Sequence, residues 1–199
     1  MDYYFTIEKS SIAEYKDRGS KFLAYADPIL NTTEFKRNLN NLKKEHSKAV
    51  HHCFAHRLGF TGNEFRASDD GEPSGTAGKP ILGQIDSKKL TNVGIIVVRY
   101  FGGSLLGVPG LINAYKTAAS LVLQTIPIVQ KPILVAYSLQ FDYNSTNQVM
   151  QILKHTNCIV NTQEINLFSN LQIHVPKSSE EELLFKIKNL PNIGIQKII

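Results

Sequence analysis

Apolar residues recur along the chain in patterns that predict an α+β protein. Val93–Tyr100 is apolar almost throughout, which is typical of a buried strand. His51–Phe60 alternates between apolar and polar residues, so it predicts a further strand. Leu111–Gln124 has helical spacing of its apolar residues and predicts an amphipathic helix. The predicted buried face of that helix consists of Leu111, Ile112, Tyr115, Ala118, Ala119 and Val122.

Capping signals add shorter elements to the first half of the chain. Phe22–Ala26 predicts a short strand. Asn31, followed three residues later by Glu34, resembles a capping box for a helix. That helix is expected to continue to about Glu45. Another helix is predicted over Pro80–Lys88, since proline is favourable at the first helical position.

The second half of the chain predicts the order βαββαβ, which is that of a ferredoxin-like domain. The predicted elements are a strand at Ile133–Phe141, a helix capped by Ser145 through His155, strands at Cys158–Glu164 and Leu171–Val175 joined by a turn at Phe168–Asn170, a helix capped by Ser178 through Lys188, and a strand at Gly194–Ile199.

Two prolines in Ile126–Pro132 predict a boundary between a domain at residues 1–130 and one at residues 131–199. The first carries 16 Lys and Arg against 12 Asp and Glu, and the second carries 6 against 5 with no arginine. Because arginine binds phosphate and carboxylate well, recognition is expected in the first domain.

No apolar run is long enough for a membrane span, and no secretion signal is recognisable. Two widely spaced cysteines favour free thiols, so a cytoplasmic protein is expected.

Candidate chemistry concentrates in Arg66–Leu82 (RASDDGEPSGTAGKPIL), which is long and strongly biased for a connecting loop. It is not a Walker phosphate loop, because positions 73 and 80 hold proline. The spacing of its acids does not fit a calcium-binding EF-hand loop. A less specific anion pocket is predicted from Gly78, Lys79 and the hydroxyls of Ser74 and Thr76, at the positive end of the following helix. The alternative is a packed loop whose acids bind its own turn amides.

A second segment has a similar design, since Arg99, Gly102 and Gly103 end a buried strand and Pro109-Gly110 opens a helix. Such strand-turn-helix junctions bind anions in many α/β proteins. The alternative is that these glycines permit a tight, closely packed turn.

If the two segments meet, they form a cleft with Lys79 and Arg99 as cations and three acids as counter-charges. The acids Asp69, Asp70 and Glu72 could instead hold Mg²⁺ or act as an acid–base pair, and both alternatives stay open. His51 and His52 are candidate ligand-binding residues beside the cleft. A zinc site is disfavoured, because His52 and His56 on one strand would lie ~13 Å apart. No metal, cofactor or catalytic residue is assigned.

At these residues the chain resembles the IMPACT/YigZ family. The matching stretches are Ser20-Lys21-Phe22, Ala49–Cys53 with Ala55, Ser68–Leu82 and Val97–Tyr115, with Pro109 standing where the family pattern usually has glycine. Together they cover the first domain, and the second domain resembles that of the bacterial members.

The resemblance implies an N-terminal two-layer α/β domain like domain 2 of ribosomal protein S5, followed by a ferredoxin-like domain like domain V of elongation factor G. It also implies a link to translation, since eukaryotic relatives regulate translation during amino-acid starvation.

Three kinds of function follow as hypotheses. The first is a translation-linked regulatory or binding protein, with no catalysis assigned to it, that engages RNA, the ribosome or a regulatory protein partner through its first domain. The second is an enzyme on a phosphorylated small molecule or nucleotide, in the cleft between the two glycine-rich segments. The third is a protein-docking surface at the acidic loop, which a neighbouring apolar rim would favour.

Overall fold

The computed structural model describes residues 2–165 and 168–198, which divide into two compact units. The first unit is Tyr4–Lys131, and the second consists of the chain from Pro132 onward with the residues before Tyr4. Strands and helices alternate in both units, so the chain has the mixed α and β structure that the patterning predicts. In the part of the chain that the model describes, no helix is both long and apolar enough to cross a membrane.

The first unit is built on an antiparallel sheet with the strand order β2-β3-β6-β4-β5. A separate two-stranded sheet pairs β1 with β7. The element bounds are β1 Tyr3–Ile7, β2 Ser11–Asp17, β3 Ser20–Pro28, α1 Thr32–Glu45, β4 His51–Leu58, β5 Glu64–Ser68, α2 Gly78–Ser87, β6 Val93–Tyr100, α3 Gly107–Gln124 and β7 Ile128–Pro132.

Helices cover both faces of the larger sheet. On one face, Val97 and Phe22 share a core with residues of α2 and α3, including Ile81. On the other face, Val98 packs with Phe35 and other residues of α1. The first unit therefore has three layers instead of the two implied by the family resemblance. This burial on both sides is the physical reason that β6 is apolar from Val93 to Val98.

The predicted α1 has its expected cap. The Asn31 side chain accepts from the backbone N–H of Glu34, and the Glu34 carboxylate accepts from the N–H of Leu30. In α3, in contrast, Ile112 is 38% exposed, so its predicted place on the buried face is wrong. Ala114 and Leu123 are buried in that helix as well.

The second unit has an antiparallel sheet with the strand order β11-β8-β10-β9. Its core joins apolar residues of β8 and β10 to residues of α4 and α5, such as Val149 and Leu183. The element bounds are β8 Leu134–Asp142, α4 Thr146–His155, β9 Ile159–Ile165, β10 Phe168–Pro176, α5 Glu180–Lys188 and β11 Gly194–Lys197.

Several local predictions for this unit were wrong. The predicted turn at Phe168–Asn170 lies inside β10, paired with both neighbouring strands. Ser145 precedes α4, but its side chain makes no capping hydrogen bond. Ser179, not Ser178, precedes α5, and it makes none either. Short 3₁₀ turns lead into both helices and take the place of side-chain caps. The predicted end of the last strand at Ile199 lies outside the described residues.

Candidate functional site

The irregular part of Arg66–Leu82 is shorter than the loop-like composition of that stretch predicts. Arg66–Ser68 belongs to β5, and α2 already begins at Gly78, two residues before the predicted start. The irregular part is therefore Asp69–Ala77, which we call the inward segment. Gly78 permits close packing, because a Cβ there would lie 2.6 Å from the backbone nitrogen of Ser68.

The Asp69 carboxylate occupies the place where an anion was expected. Its Oδ1 accepts from the backbone N–H groups of Ala77 and Gly78 at 2.9 and 2.8 Å, and its Oδ2 accepts from Gly75 at 2.9 Å. These amides stand at the positive end of α2, where a bound phosphate would compete for them. The predicted anion pocket at this helix start is thus already filled by the chain itself.

Hydrogen bonding sets the ionisation of Asp69. Partial burial alone would raise the pKa of this carboxyl. The hydrogen bonds from Gly75, Gly78 and Ala77 together outweigh that effect and lower the pKa below its usual value. Asp69 is therefore a charged helix cap at neutral pH.

The other polar residues of this region do not converge on a ligand. Thr76 is buried, and its hydroxyl donates to the carbonyl of Pro73 at 2.7 Å. Ser74 and Lys79 are exposed. The alternative in which the loop satisfies its own groups therefore describes this segment better than an anion cradle.

Asp70 links the inward segment to β4 and α1. Its backbone has φ of 42°, in the left-handed region, and this turns its side chain away from that of Asp69. The Oδ2 atom accepts from the backbone N–H of His52 at 2.7 Å, and Oδ1 accepts from the Lys43 ammonium at 3.2 Å. The Asp70 carbonyl accepts from His51 Nδ1 at 2.7 Å. Asp70 thus joins the inward segment to β4 and α1, and each of its carboxylate oxygens accepts a hydrogen bond.

Glu72 lies at the centre of a buried polar network. Its Oε1 accepts from Arg99 Nη1 at 2.5 Å and from the Tyr115 hydroxyl at 2.7 Å, and His51 Nε2 lies 3.9 Å away. Cys53 Sγ is 3.3 Å from the Tyr115 hydroxyl. The network therefore ties the inward segment to β4, β6 and α3.

Burial governs the titratable neighbours of Glu72. It raises the pKa of the Cys53 thiol and of the Tyr115 hydroxyl, and the nearby Glu72 charge acts in the same direction on both. Both groups stay protonated at neutral pH, so neither is an activated nucleophile or base. Tyr115 holds Glu72 through its hydroxyl, and Cys53 packs against that hydroxyl.

The second glycine-rich segment, Phe101–Leu106, differs in character, and we call it the outward segment. Gly102 lies against the β2–β3 turn, where an added Cβ would come within 1.8 Å of the Gly19 backbone carbon. Its N–H donates to Ser20 Oγ at 3.2 Å. Gly103 has φ of 86°, a conformation that favours glycine. These contacts account for the two glycines by close packing and turn geometry, which was the alternative to anion binding.

The helix after this segment starts at Gly107, earlier than the predicted Pro109-Gly110. The extra turn carries Val108 to the surface, and Leu105 just before it is 84% exposed. The outward segment and the first helical turn after it thus expose large apolar side chains, which the glycine-rich sequence did not predict.

The inward and outward segments meet at a cavity of about 370 Å³. His51, Glu72 and Arg99 contribute polar groups to its lining. The exposed apolar residues around it form what we call the apolar rim: Val50, Phe101, Leu105 and Val108.

The structure thus brings together only part of the predicted cleft. His52 lies on the opposite face of the sheet from His51, near Leu42 of α1, because neighbouring residues of a strand point to opposite faces. Burial lowers the pKa of His52 despite the nearby Asp70 charge. Within the described ranges, no group of three or more His, Cys, Asp or Glu side chains is arranged to hold a metal ion.

Sequence reasoning missed two contributors to this site. Tyr115 was assigned only to an apolar helix face, although a buried tyrosine needs a partner for its hydroxyl. Cys53 was treated as an isolated thiol, and the alternation of β4 alone could have placed it on the same face as His51. Tyr115 donates to Glu72, and Cys53 contacts Tyr115 and the Asp69 carbonyl, all of which lie far apart in sequence.

The chain is similar to known proteins over most of its length. A family model described as the Impact N-terminal domain matches residues 18–123. The chain is similar to IMPACT family member YvyE of Bacillus subtilis, with 30% identity over 182 residues that cover 92% of this chain and 83% of that protein. It is similar to IMPACT family member YigZ of Escherichia coli, with 30% identity over 183 residues that cover 91% and 88%.

A solved structure described as a crystal structure of a hypothetical protein is similar over 100% of this chain and 98% of its own. The TM-score is 0.76, and the sequences are 26% identical. The shared fold thus extends beyond the Impact N-terminal domain into the second unit.

Proposed function

The chain belongs to the IMPACT family, and we propose that it is a non-catalytic, translation-linked regulatory protein that binds a protein partner at the apolar rim. The observation that carries this proposal is the rim itself. Apolar side chains exposed around a cavity are typical of partner-binding sites. The rim adjoins the inward segment, where a docking surface was one of the three hypotheses.

The chemistry of the cavity favours a partner with an apolar anchor. Arg99 and Glu72 neutralise each other in the lining, so a strongly charged ligand group gains little there. An apolar side chain entering the cavity would cover Phe101, Leu105 and Val108. Such a buried anchor, surrounded by contacts that exclude water, is the usual centre of a protein interface.

Catalysis is less well supported. The three candidate acids are engaged by backbone amides, Lys43, Arg99 and Tyr115. An enzyme acting on a phosphorylated small molecule remains the alternative. It predicts that Asp70→Ala or Lys79→Ala abolishes turnover in a folded protein, whereas a binding module retains its effect on translation in the Lys79→Ala variant.

The finer fold assignment supports a role near the ribosome. We propose that the first unit resembles domain 2 of ribosomal protein S5, with α1 as a third layer. We propose that the second unit is ferredoxin-like, as in domain V of elongation factor G, and its strand order β11-β8-β10-β9 with two helices in one core supports this proposal. Both folds recur in proteins that contact RNA or the ribosome, and the expected location is the cytoplasm.

The test is the output of a reconstituted cell-free translation system at increasing concentrations of the purified chain. We expect the wild type to change the yield of a reporter protein, and Leu105→Asp to remove that effect. Ile12→Asp is the matched control, since Ile12 is 58% exposed on β2, away from the rim. No effect of the wild type, or an equal effect of Leu105→Asp, would contradict the proposal.

A photo-crosslinking residue at position 105 identifies the class of partner. A crosslinked species that resists ribonuclease and is absent when the residue stands at position 12 supports a protein partner. A species that ribonuclease removes contradicts it. A crosslink between two copies of the chain would make the rim a self-association surface instead.

A further inference from the structure

The strand β5 is an edge of the five-stranded sheet. It pairs with β4 on one side, and no described strand pairs with it on the other. Its residues from Glu64 to Ala67 are all exposed. Because an edge strand presents unpaired N–H and C=O groups, it is a ready template for pairing with a further strand.

This edge has few of the features that protect an edge strand from such pairing. The strand contains neither proline nor lysine, and its register with β4 is regular over all five of its residues. In the second unit, by contrast, the register of the edge strand β9 with β10 shifts between Gln172 and Ile173. Bulges, prolines and lysines are common means by which proteins block an exposed edge. The edge of β5 is therefore open to another strand.

Two charges of opposite sign, Glu64 and Arg66, lie on one face of β5, because side chains two residues apart on a strand point to the same face. Neither has an oppositely charged partner within 4.0 Å among the described residues. The other edge strand of this sheet, β2, differs, since Glu14 is paired with Lys16 at 3.0 Å and with Lys21 at 2.8 Å. The charges of β5, unlike those of β2, are thus available to a second chain.

Phe65 lies between these two charges in sequence and points to the other face of the sheet. It is 55% exposed, and the Arg57 guanidinium lies 4.8 Å from its ring centroid. Arg57 is held in turn by Asp86 of α2, with 2.7 Å between Nη2 and Oδ1. The ring is thus supported on one side and open to solvent elsewhere. Aromatic residues that lie opposite one another on neighbouring strands stabilise a sheet.

A second copy of β5 fits this edge in one register. When two identical strands pair antiparallel about a two-fold axis, one residue lies opposite its own copy. If that residue is Phe65, Glu64 of each copy lies opposite Arg66 of the other, and the two rings adjoin on the other face. A register centred on Glu64 or on Arg66 would place like charges opposite each other, which is unfavourable. A register centred on Ala67 would form neither ion pair.

We propose that the chain forms a weak symmetric dimer by antiparallel pairing of β5 with a second copy, which joins the two five-stranded sheets into one. Backbone hydrogen bonds supply the pairing, and the two Glu64–Arg66 ion pairs fix its register. An unrelated extended peptide can use the backbone groups of the edge, but a second copy also matches both charges and the ring. Because the paired edge is short, the interface is smaller than the roughly 1,200 Å² of a stable complex, and the dimer should depend on concentration.

The test is sedimentation velocity of the full chain over a wide range of concentration. We expect the average mass to rise from that of the 22.3 kDa monomer toward twice that value. Glu64→Arg places like charges opposite each other at two symmetric positions, so it should weaken the dimer by at least about tenfold. Arg66→Glu should do the same, and high salt should weaken the wild-type dimer.

An equimolar mixture of the Glu64→Arg and Arg66→Glu variants tests the pairing itself. Each variant alone repels its own copy, whereas the mixture places two arginines opposite two glutamates. The mixture should therefore dimerise as the wild type does, and so should the double variant Glu64→Arg/Arg66→Glu. A wild type that stays monomeric, or a mixture that does not associate, would overturn the proposal.

Glu14→Arg is the matched control, since it makes the same charge change at an exposed residue of the other edge strand. It should dimerise as the wild type does, and so should Leu105→Asp, which separates this dimer from self-association through the apolar rim. Equal weakening by Glu14→Arg would mean that net charge governs association, and loss of the dimer in Leu105→Asp would move it to the rim. Either result contradicts pairing through β5.

The register can be tested by oxidation in a Cys158→Ser background, in which the remaining Cys53 is buried. Phe65→Cys should form a disulfide between two copies, because position 65 lies opposite itself. Ala67→Cys should not, since the two copies of position 67 would lie ~14 Å apart at ~3.4 Å per residue. Absence of the first disulfide, or efficient formation of the second, would overturn the register centred on Phe65.

Discussion

The inward and outward segments have similar glycine-rich sequences but use their side chains in opposite ways. In the inward segment, the carboxylates of Asp69, Asp70 and Glu72 bind amides, a lysine and an arginine of the same chain. In the outward segment, Leu105 extends into solvent. An abundance of polar residues therefore does not by itself mark the surface that a ligand contacts. Here the polar segment is a scaffold, and the apolar one offers the contact surface.

The largest expected effect on the free energy of unfolding comes from the buried Arg99–Glu72 ion pair, which holds the inward segment in place. Arg99→Met leaves Glu72 in the interior without its cation, and we expect a loss of about 3–5 kcal/mol in the free energy of unfolding. Urea denaturation measures it. The double variant Arg99→Met/Glu72→Gln should recover part of the loss, because no charge then remains buried alone. An unchanged stability of the single variant would show that the pair does not support the fold.

A smaller effect tests whether the outward segment is anchored at its base. Gly102→Ala places a Cβ within 1.8 Å of the Gly19 backbone, so the β2–β3 turn must move away. We expect a loss of about 1–3 kcal/mol or more, measured by urea denaturation. The control is Gly83→Ala in α2, where a Cβ meets nothing within 4 Å and should gain up to about 1 kcal/mol. Equal free energies of unfolding for the two variants would mean that the outward segment is not held against the β2–β3 turn.

The charge of Asp69 in the inward segment should make part of the free energy of unfolding depend on pH. Asp69→Asn weakens the cap of α2 and should cost about 1–2 kcal/mol at pH 7. The folded state lowers the pKa of Asp69, so its stabilisation is present above the unfolded value near 4 and is lost as the pH falls through the folded pKa. The stabilities of wild type and variant should therefore converge in acid. Glu8→Gln is the control, since it also removes one carboxylate but at an exposed residue outside the inward segment. A difference between wild type and Asp69→Asn that persists at low pH would contradict the capping role.

The smallest expected effect on stability tests whether Leu105 of the outward segment is a contact residue and not a structural one. Leu105→Asp should change the free energy of unfolding by less than about 0.5 kcal/mol, because the side chain is 84% exposed. The same substitution should abolish the effect on translation. A loss of several kcal/mol in thermal or urea unfolding would mean that Leu105 is structural, and the apolar rim would then not be a contact surface.

The fold was predictable where burial follows local patterning. Val93–Tyr100 was predicted as a strand with the bounds that the structure has, because a strand covered on both faces is apolar over most of its length. Asn31 and Glu34 identified the start of α1 through hydrogen bonds within four residues. Short edge strands such as β2 and β5 were missed, since their exposed side chains are mostly polar and resemble those of loops.

The site was less predictable, because its interactions depend on tertiary neighbours. The capping of α2 by Asp69 requires the chain to turn back over nine residues. The pairing of Glu72 with Arg99 requires the inward segment, which follows β5, to reach β6 beyond the intervening β4. Composition correctly marked both segments as unusual. It could not tell whether the acids of the first would point toward solvent or toward the chain's own amides.

Cys53 makes the stability of the inward segment accessible to chemical kinetics. Its sulfur lies 2.9 Å from the Asp69 carbonyl in a fully buried position, and burial keeps the thiol protonated and unreactive in the closed state. A thiol reagent can therefore reach it only while the segment is lifted from β4. In a Cys158→Ser background, the labelling rate would report how often that opening occurs. The labelling rate of this native thiol thus measures the opening of the inward segment without any introduced probe.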